Sequence, residues 1–359
     1  MLSSDEQAVL VDIMQDHDEV VALFGRLGGF VKVGYVIEDV TQYLDQFIKD
    51  HSEVDTKVNF SLSFYNDGKF RILKQKRKAL GMQTKKYLKS NGIRSRFVSN
   101  PSDLKTSSVL LRKNKVIRRG FELNLLQHPK SRKEYWGLTL AVQDYGKFSH
   151  IDYGRPRANK KRGMIPPKLA RMMLNLAQVV DDGVIWDPFC GSGTILMEGL
   201  LAGYRVVGSD VDKDAIEETK ENLAWLCEDQ KISHTKYEVM EHDLQDGIPK
   251  DLKFDAIVTE PYLGPVLRNV VTVEQVASFS ETIDSLYDAL VKIVLAAPSK
   301  GKLVVVVPAF KTISGWIDLD FAPARSSSLK DVSSELSTQP LQWDRPDSII
   351  RRNIKIFKY

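Results

Sequence analysis

The sequence has little cysteine and no long apolar run, and each of these absences excludes a class of protein. Cys190 and Cys227 are the two cysteines among 359 residues, and neither stands in a metal-like pair. No disulfide framework, zinc site or other metal site is therefore predicted. The longest apolar run, at residues 303–307, is far too short to cross a bilayer. The first residues are acidic, whereas a secretory signal begins basic and then turns apolar. We expect a cytoplasmic protein that does not associate with membranes.

A dinucleotide-binding motif is also missing, although the chain carries a glycine-rich turn. Residues 184–194 contain an apolar stretch that ends in Asp187 and then the turn, and a helical pattern follows. The turn does not read Gly-x-Gly-x-x-Gly, and the acid before it would repel a pyrophosphate. A second apolar stretch ends at Asp210, 23 residues after Asp187, where a carboxylate can bind both hydroxyls of a ribose. With a third acid at Asp243, the pattern favours a cationic ligand that carries a ribose.

Acidic residues are scarce in the middle of the chain. Residues 51–165 carry 27 basic and 8 acidic side chains, whereas residues 1–50 and 166–359 are both net acidic. Residues 69–96 hold eleven lysines and arginines and no acid, interleaved with apolar residues in a pattern typical of a folded helix. Charge of this sign and density indicates a polyanionic partner. A solvated lysine-rich surface remains the alternative at this point.

Strand and helix patterns alternate over the second half of the chain. This alternation predicts a parallel, doubly wound α/β sheet with right-handed crossovers. Ligands of such sheets bind beyond the carboxyl ends of the strands, which is where Asp187, Asp210, Asp243 and Glu260 fall. The sequence therefore predicts a single ligand site at that edge.

The first half of the chain has a mixed pattern of short strands and helices. Strands are predicted at residues 20–24 and 108–111, among others. The predicted segments are an α+β, ferredoxin-like unit at 1–50, a basic domain at 51–145, a linker at 146–162 and the α/β domain at 163–359.

Two motifs resemble those of the S-adenosylmethionine-dependent amino-methyltransferases. Residues 187–194 read Asp-Pro-Phe-Cys-Gly-Ser-Gly-Thr, and residues 260–262 read Glu-Pro-Tyr. The resemblance implies a Rossmann-like methyltransferase sheet with S-adenosyl-L-methionine as cofactor. The family's second motif reads Asp/Asn-Pro-Pro-Tyr/Phe, so this chain has a longer acid, lacks the second proline and carries its aromatic residue one place early.

The segment before the α/β domain gives the most specific resemblance. It runs from Asp-Tyr-Gly-Arg-Pro at residues 152–156 to Gly-Met-Ile-Pro-Pro-Lys-Leu-Ala at residues 163–170. This sequence segment resembles the domain junction of the tRNA guanine-N2 methyltransferases of archaea and eukaryotes. In that family the segment that enters the helix closes over the methionine end of the cofactor. The residues that the two resemblances place at the cofactor are Met164, Pro166, Asp187, Pro188, Phe189, Gly191, Ser192, Gly193, Thr194, Asp210, Val211, Asp243 and Leu244.

The order of the elements predicted over residues 51–145 resembles the THUMP domains of RNA-modifying enzymes, so the resemblance implies that this basic domain binds RNA. In that family the domain holds the acceptor end of tRNA, so the resemblance implies a tRNA substrate. The candidate RNA-binding residues are Lys85, Lys86, Lys89, Arg94, Arg96 and Arg155. The need for a small activating protein subunit stays open.

Three consecutive residues are the candidate catalytic group. An exocyclic amine of a base is a poor nucleophile because its lone pair is delocalised into the ring. The carboxylate of Glu260 and the carbonyl near Pro261 can accept its two hydrogens, and Tyr262 can stack on the base. Cys190 could suggest a base-C5 methyltransferase, but those enzymes place their cysteine after the fourth strand, where this chain has Glu260. We therefore interpret Cys190 as a packed side chain.

The leading prediction is methylation of the 2-amino group of a guanine in tRNA. A DNA amino-methyltransferase acting on adenine N6 or cytosine N4 shares the catalytic half but would not need the basic domain. A third alternative is a noncatalytic RNA-binding protein that binds S-adenosylmethionine without transferring its methyl group.

Overall fold

A computed structural model describes residues 3–5, 8–11, 16–51, 57–65, 69–128, 131–158, 164–297, 299–321, 328–337, 339–345 and 347–359. The chain forms two compact units. The first contains residues 1–26 and 30–146, and the second contains residues 27–29 and 147–359. Residues 159–162 of the predicted linker and Gly163 lie outside the described residues. In the described part of the chain, no helix is both long and apolar enough to span a membrane.

The first unit is built on a five-stranded mixed sheet. The strands of this unit are β1 (Ser3–Asp5), β2 (Ala8–Leu10), β3 (Lys32–Ile37), β4 (Val58–Tyr65), β5 (Ser95–Val98), β6 (Gly120–Gln127) and β7 (Glu134–Val142). Its helices are α1 (His17–Arg26), α2 (Val40–His51), α3 (Phe70–Ser90) and α4 (Ser108–Lys113). The sheet order is β3-β7-β6-β4-β5, and β1 and β2 form a separate antiparallel pair. Strand β4 is parallel to both of its neighbours.

Alternation along the strands divides the residues of this sheet between two faces. Phe60, Leu62 and Phe64 of β4 are buried in one hydrophobic core with residues of α2 and α3, including Leu73 and Leu88. Helix α3 buries a single stripe of residues at helical spacing and leaves its lysines exposed. The basic stretch is therefore a folded amphipathic helix, as the sequence predicted.

Two strands predicted from the sequence are wrong. Residues 20–24 lie in α1, and residues 108–111 lie in α4. Each helix begins next to a residue whose side chain accepts a backbone hydrogen bond. Asp16 accepts from the Glu19 N–H at 2.8 Å, and Ser107 accepts from the Leu110 N–H at 3.2 Å. These caps favour helix over the strand preference of the β-branched residues that follow.

The domain boundaries differ from those predicted at two places. Strand β3, from the predicted N-terminal unit, pairs with β7 and so belongs to the same sheet as the predicted basic domain. Helix α5 (Tyr145–Tyr153) begins at the predicted boundary and occupies the first part of the predicted linker.

The second unit is a doubly wound α/β fold, as predicted. Its strands are β8 (Val184–Asp187), β9 (Arg205–Asp210), β10 (Tyr237–Glu241), β11 (Ala256–Thr259), β12 (Lys302–Thr312), β13 (Gly315–Asp318), β14 (Lys330–Asp331), β15 (Gln342–Trp343) and β16 (Ile350–Lys358), and its helices are α6 (Pro167–Ala177), α7 (Thr194–Leu201), α8 (Lys213–Gln230), α9 (Val273–Leu295) and α10 (Ser333–Leu336). The main path of the sheet is β10-β9-β8-β11-β12-β16-β14.

The chain direction and helix placement in this sheet decide where a ligand can bind. Strands β10, β9, β8, β11 and β12 are parallel, and β16 runs antiparallel to β12. One hydrophobic core contains residues of α6, α7 and α8, and a second core contains residues of α9. The strand order reverses between β8 and β11, so their carboxyl ends flank the crevice in which such folds bind ligands.

Candidate active site

Acidic residues collect at the carboxyl edge of the parallel strands in the second unit. Asp187 and Asp210 are the last residues of β8 and β9, Asp243 follows β10, and Glu260 follows β11. Because these strands are adjacent and parallel, their acids lie along one edge. The structure therefore brings together the four acids that the sequence singled out.

Asp187 is buried at the end of the strand beside the switch point. Its side chain is 1% exposed, and Oδ1 accepts hydrogen bonds from the Thr259 hydroxyl at 2.6 Å and the Phe189 N–H at 3.2 Å. Burial raises the pKa of this carboxyl to about 7, because these two donors only partly replace the lost water. A cationic ligand group next to Asp187 would favour its charged form.

The glycine-rich turn after Asp187 leaves room for a ligand at one position. Gly191 has a φ of +53° and no heavy atom within 4 Å of an added Cβ, so its backbone is open to close approach. Gly193 has a φ of +82°, and a Cβ there would lie 3.0 Å from the Thr219 methyl carbon. Thr219 also donates its hydroxyl to the Gly191 carbonyl at 2.6 Å. Gly193 is thus required by the fold, whereas Gly191 suits a ligand.

Asn222 of α8 fixes the turn from the other side, and the sequence did not reveal it. The side chain is fully buried, and its amide nitrogen donates to the Ser192 and Arg157 carbonyls, both at 2.9 Å. Its amide oxygen accepts from the Arg157 N–H at 2.9 Å. One side chain therefore ties the turn to the segment that precedes α6. An asparagine inside a helix was the only sequence signal, and it is a weak one.

The carboxylate of Asp210 accepts hydrogen bonds from backbone N–H groups, including one in the glycine-rich turn. One carboxylate oxygen accepts from the Gly191 N–H at 3.0 Å, and the other accepts from the Asp212 N–H at 3.0 Å. These bonds orient the carboxylate, and a carboxylate oxygen can accept more than one hydrogen bond, so a ribose hydroxyl could be added. The adjacent Val211 is 60% exposed, which makes an apolar surface beside this acid.

Asp243 and Leu244 have structural roles of their own. The Asp243 side chain accepts from the Gln245 N–H at 2.9 Å and so caps a short 3₁₀ turn. Leu244 is 3% exposed and packs in the core that contains α9. A contact from Leu244 to a cofactor would therefore come from its backbone.

Met164 and Pro166 lie in the segment before α6. Pro166 is the N-cap of α6, and its carbonyl accepts from the Leu169 and Ala170 N–H groups. Arg171 of α6 donates to the carboxylate of Glu198 in α7 at 2.6 Å. Burial raises the pKa of Glu198 to about 7, and Arg171 opposes that shift. This buried pair joins the helix that carries the Pro166 segment to the helix that follows the turn.

Glu260 forms a two-pronged ion pair with Arg352 of β16. Arg352 donates from Nε to Oε2 at 2.5 Å and from Nη2 to Oε1 at 3.0 Å, and the two side chains are 12% and 11% exposed. The Arg352 guanidinium also lies over the Trp343 ring, 5.3 Å from its centroid. Next to Glu260, Pro261 is buried, whereas Tyr262 is 47% exposed and can contact a base. Arg352 was not predicted, because an alternating strand pattern does not indicate which side chain reaches the site.

The remaining side chains of the turn are largely buried. Pro188, Ser192 and Thr194 have little exposed surface, and Phe189 is half-buried. Cys190 is 5% exposed, and burial raises the pKa of its thiol well above the usual value. A buried thiol of this kind is a poor nucleophile, in agreement with a packing role. Among the described residues, no cluster of three or more His, Cys, Asp or Glu side chains could hold a metal ion.

The candidate RNA-binding residues divide into two groups. Lys85, Lys86 and Lys89 are exposed on α3, and Arg94 and Arg96 are exposed at and just before β5. Arg155 is different, because it is 3% exposed and donates to the Thr194 hydroxyl at 2.8 Å. Unlike the five exposed candidates, this side chain packs inside the second unit, so the structure gives it no exposed surface for RNA.

Comparisons with known proteins agree with this geometry. A family model described as an RMKL-like methyltransferase domain matches residues 155–309. A second model, described as DNA methylase, matches residues 33–221 and therefore ends before Glu260. The crystal structure of TrmN from Thermus thermophilus aligns with a TM-score of 0.52 at 13% identity, over 97% of this chain and 88% of that one. This last likeness shows a shared fold.

Two archaeal proteins are similar in sequence. The tRNA (guanine(10)-N2)-dimethyltransferase of Methanothermobacter thermautotrophicus is 38% identical over 154 residues, which are 42% of this chain and 44% of that protein. This chain therefore matches less than half of that relative's length. A probable tRNA (guanine(10)-N2)-dimethyltransferase of Methanothermococcus thermolithotrophicus is 31% identical over 128 residues, 35% of this chain and 74% of that protein. The chain therefore belongs to the S-adenosylmethionine-dependent amino-methyltransferases and, within them, to the family of the tRNA (guanine(10)-N2)-methyltransferases.

Proposed function

We propose that the protein transfers a methyl group from S-adenosylmethionine to the exocyclic N2 of a guanine in tRNA. The observation that carries this proposal is the position of the Glu260 carboxylate. It is fixed by Arg352 at the end of β11, next to β8, the strand that ends in Asp187. The two relatives in sequence, which are named as tRNA (guanine(10)-N2)-dimethyltransferases, support the choice of base and of RNA.

The residues around the turn fit S-adenosylmethionine. The cofactor supplies a methyl group on a positively charged sulfur when it is bound. The buried acid Asp187 suits its positively charged amino acid end, and the open backbone at Gly191 suits its close approach. Asp210 is oriented to accept from the ribose hydroxyls, and the exposed Val211 can contact the adenine. Met164 and Pro166 form the wall on the methionine side.

Glu260 would act on the amino group that receives the methyl. A carboxylate oxygen that accepts one amine hydrogen draws the nitrogen lone pair out of the ring, and it can take the proton afterwards. The Pro261 region, fixed by the proline ring, offers a carbonyl for the second hydrogen, and Tyr262 can stack on the base.

Arg352 accounts for the departure of this motif from the family pattern. The glutamate is one methylene longer than the usual aspartate, so its carboxylate has more conformations to lose. Two parallel N–H donors from Arg352 fix the plane of that carboxylate. The lone pairs that Arg352 does not use remain available for the amine. We therefore assign Arg352 as a positioning residue for Glu260.

The first unit would hold the RNA as a THUMP-like domain. Its candidate contacts are the exposed lysines of α3 and the exposed arginines at β5. We also propose a cytoplasmic location, which the proposed tRNA substrate supports. Methyl transfer by the purified chain alone would show that no small activating subunit is required.

The first prediction concerns the product. The purified chain, incubated with methyl-labelled S-adenosylmethionine and unmodified tRNA, should give labelled N2-methylguanosine or N2,N2-dimethylguanosine after digestion to nucleosides. Double-stranded DNA and ribosomal RNA serve as parallel substrates. Labelled N6-methyladenine or N4-methylcytosine in DNA would overturn the proposal. Cofactor binding without label in any nucleic acid would favour the noncatalytic alternative.

The second prediction separates Glu260 from its partner. We expect Glu260→Ala to lower kcat by about 10²- to 10⁴-fold, because the acceptor for the amine proton is lost. Arg352→Met should lower kcat by about 10²-fold, because a displacement of roughly an ångström has that cost. Both variants should keep the cofactor affinity of the wild type in calorimetry. Arg351→Met is the matched control, since Arg351 pairs with Asp318 instead and should leave kcat unchanged. Full activity of Glu260→Ala would refute the assignment.

The third prediction concerns the buried acid. Asp187 has a folded-state pKa of about 7 against an ordinary value of 3.8, so the folded protein binds the proton more tightly than the unfolded chain. The contribution of Asp187 to stability is therefore lost as pH rises from 3.8 to about 7. Asp187→Asn should remove this part of the pH dependence in thermal unfolding of the cofactor-free protein.

The same variant should bind S-adenosylmethionine at least about tenfold more weakly, because a charge-assisted hydrogen bond is lost. The exposed Asp181 provides the control variant, Asp181→Asn, which should change neither property. Wild-type cofactor affinity in Asp187→Asn would contradict the role given to this acid.

The fourth prediction concerns the RNA surface. Lys85→Ala combined with Lys86→Ala should weaken tRNA binding and reduce the salt dependence of log Kd by about one for each phosphate that the variant no longer neutralises. The control is Lys250→Ala with Lys253→Ala, which removes the same charge. These two lysines are exposed and precede β11, at the amino edge of the parallel strands in the second unit. Fluorescence titrations over a range of salt concentrations give both quantities. Equal losses in the two double variants would show that only total charge matters.

A further inference from the structure

Arg155 is a buried cation without a carboxylate partner in the described part of the chain. The side chain is 3% exposed, and burial is the main cause that lowers its pKa. Its hydrogen-bond partners are the Thr194 hydroxyl at 2.8 Å and two thioether sulfurs, those of Met164 and Met197. A thioether is a weak acceptor. Asp152 and Glu218 act on the guanidinium only through longer-range attraction.

One donor of Arg155 is unpaired. Nε is fully buried and makes no hydrogen bond to any of the residues that the structure describes. Leaving a buried charged donor unpaired is costly, so a protein retains such a group where a ligand or other partner satisfies it. The free Nε and the Nη2 that now contacts Met164 lie on the same side of the planar guanidinium, and together they match the two oxygens of a carboxylate.

The position of Arg155 places this donor pair at the cofactor turn. Thr194 is the first residue of α7 and follows Gly193 directly, and Met164 lies in the segment before α6. Arg155 therefore touches both the turn and the wall proposed for the methionine end. The N-terminus of α7 adds backbone N–H groups and a positive dipole end to the same region.

We propose that Arg155 binds the α-carboxylate of the methionine part of the cofactor. The inference rests on the proposed use of S-adenosylmethionine, and it assigns a residue that the proposed transfer chemistry does not need. An amino acid end carries one positive and one negative group. Asp187 supplies the buried acid for the first, and Arg155 supplies the buried base for the second. The Met164 thioether occupies Nη2 until the carboxylate replaces it.

This assignment predicts selectivity between ligands. Decarboxylated S-adenosylmethionine keeps the adenosine, the sulfonium and the amino group but lacks the carboxylate. A binding site that uses Arg155 leaves the guanidinium unsatisfied with this ligand, so the wild type should bind S-adenosylmethionine about 10- to 100-fold more tightly. Binding is measured by calorimetry, which needs no methyl transfer and no RNA.

The fifth prediction is that this selectivity belongs to Arg155. Arg155→Met should reduce the affinity ratio of the two ligands to within about threefold, mainly by weakening S-adenosylmethionine. Arg155→Lys keeps the charge but not the planar pair of donors, so its ratio should lie between the two. The control is Arg157→Met, since Arg157 pairs with Glu221 at the surface and should keep the wild-type ratio. Thermal unfolding shows whether each variant is folded.

The possible outcomes distinguish this inference from the proposed function. A wild type that binds both ligands equally overturns the inference without the use of any variant. A folded Arg155→Met or Arg155→Lys protein with the full wild-type ratio overturns it as well. Loss of the ratio in these variants supports it, even if no RNA or DNA substrate becomes labelled. In that case the proposed methyl transfer fails while the assignment of Arg155 stands.

Discussion

The hydrogen bond from the Thr259 hydroxyl to Asp187 joins the two strand ends from which the candidate site of the second unit is built. These residues end two adjacent parallel strands, β11 and β8, where the strand order of the sheet reverses. Asp187 is buried there, and the bond gives its carboxyl one of its hydrogen-bond partners. The glycine-rich turn leaves the sheet from Asp187, and the candidate catalytic segment leaves it from Thr259. The cofactor half and the acceptor half of the proposed reaction thus begin one hydrogen bond apart.

The sequence was sufficient to place the parts of the candidate site that lie along short segments. An acid at the end of each apolar strand and a glycine-rich turn before a helix are local patterns, and the parallel sheet brings their ends together. Asp187, Asp210, Asp243 and Glu260 were found in this way. The same reasoning predicted the doubly wound fold, because alternating strands and helices have few other arrangements.

Residues that act from a distance along the chain could not be found in this way. Arg352 reaches Glu260 across 92 positions, and only the antiparallel register of β16 on β12 brings it there. Asn222 depends on the rotation of α8 about its axis. Arg155 was predicted to bind RNA because it lies in a basic segment, where arginines are usually exposed. In α1 and α4, single capping side chains outweighed the apolar, β-branched pattern that predicted strands.

The ion pair between Glu260 and Arg352 also bears on how the protein is made. Translation proceeds at about 5 to 20 residues per second, so Glu260 is synthesised several seconds before its partner. The parallel strands and the cofactor turn precede that point and can assemble on the ribosome, whereas β16 can only be added afterwards. A nascent chain could therefore bind cofactor before its acceptor carboxylate is held in place. Strand β16 then completes the sheet and, in the same step, orients the carboxylate proposed to act on the substrate.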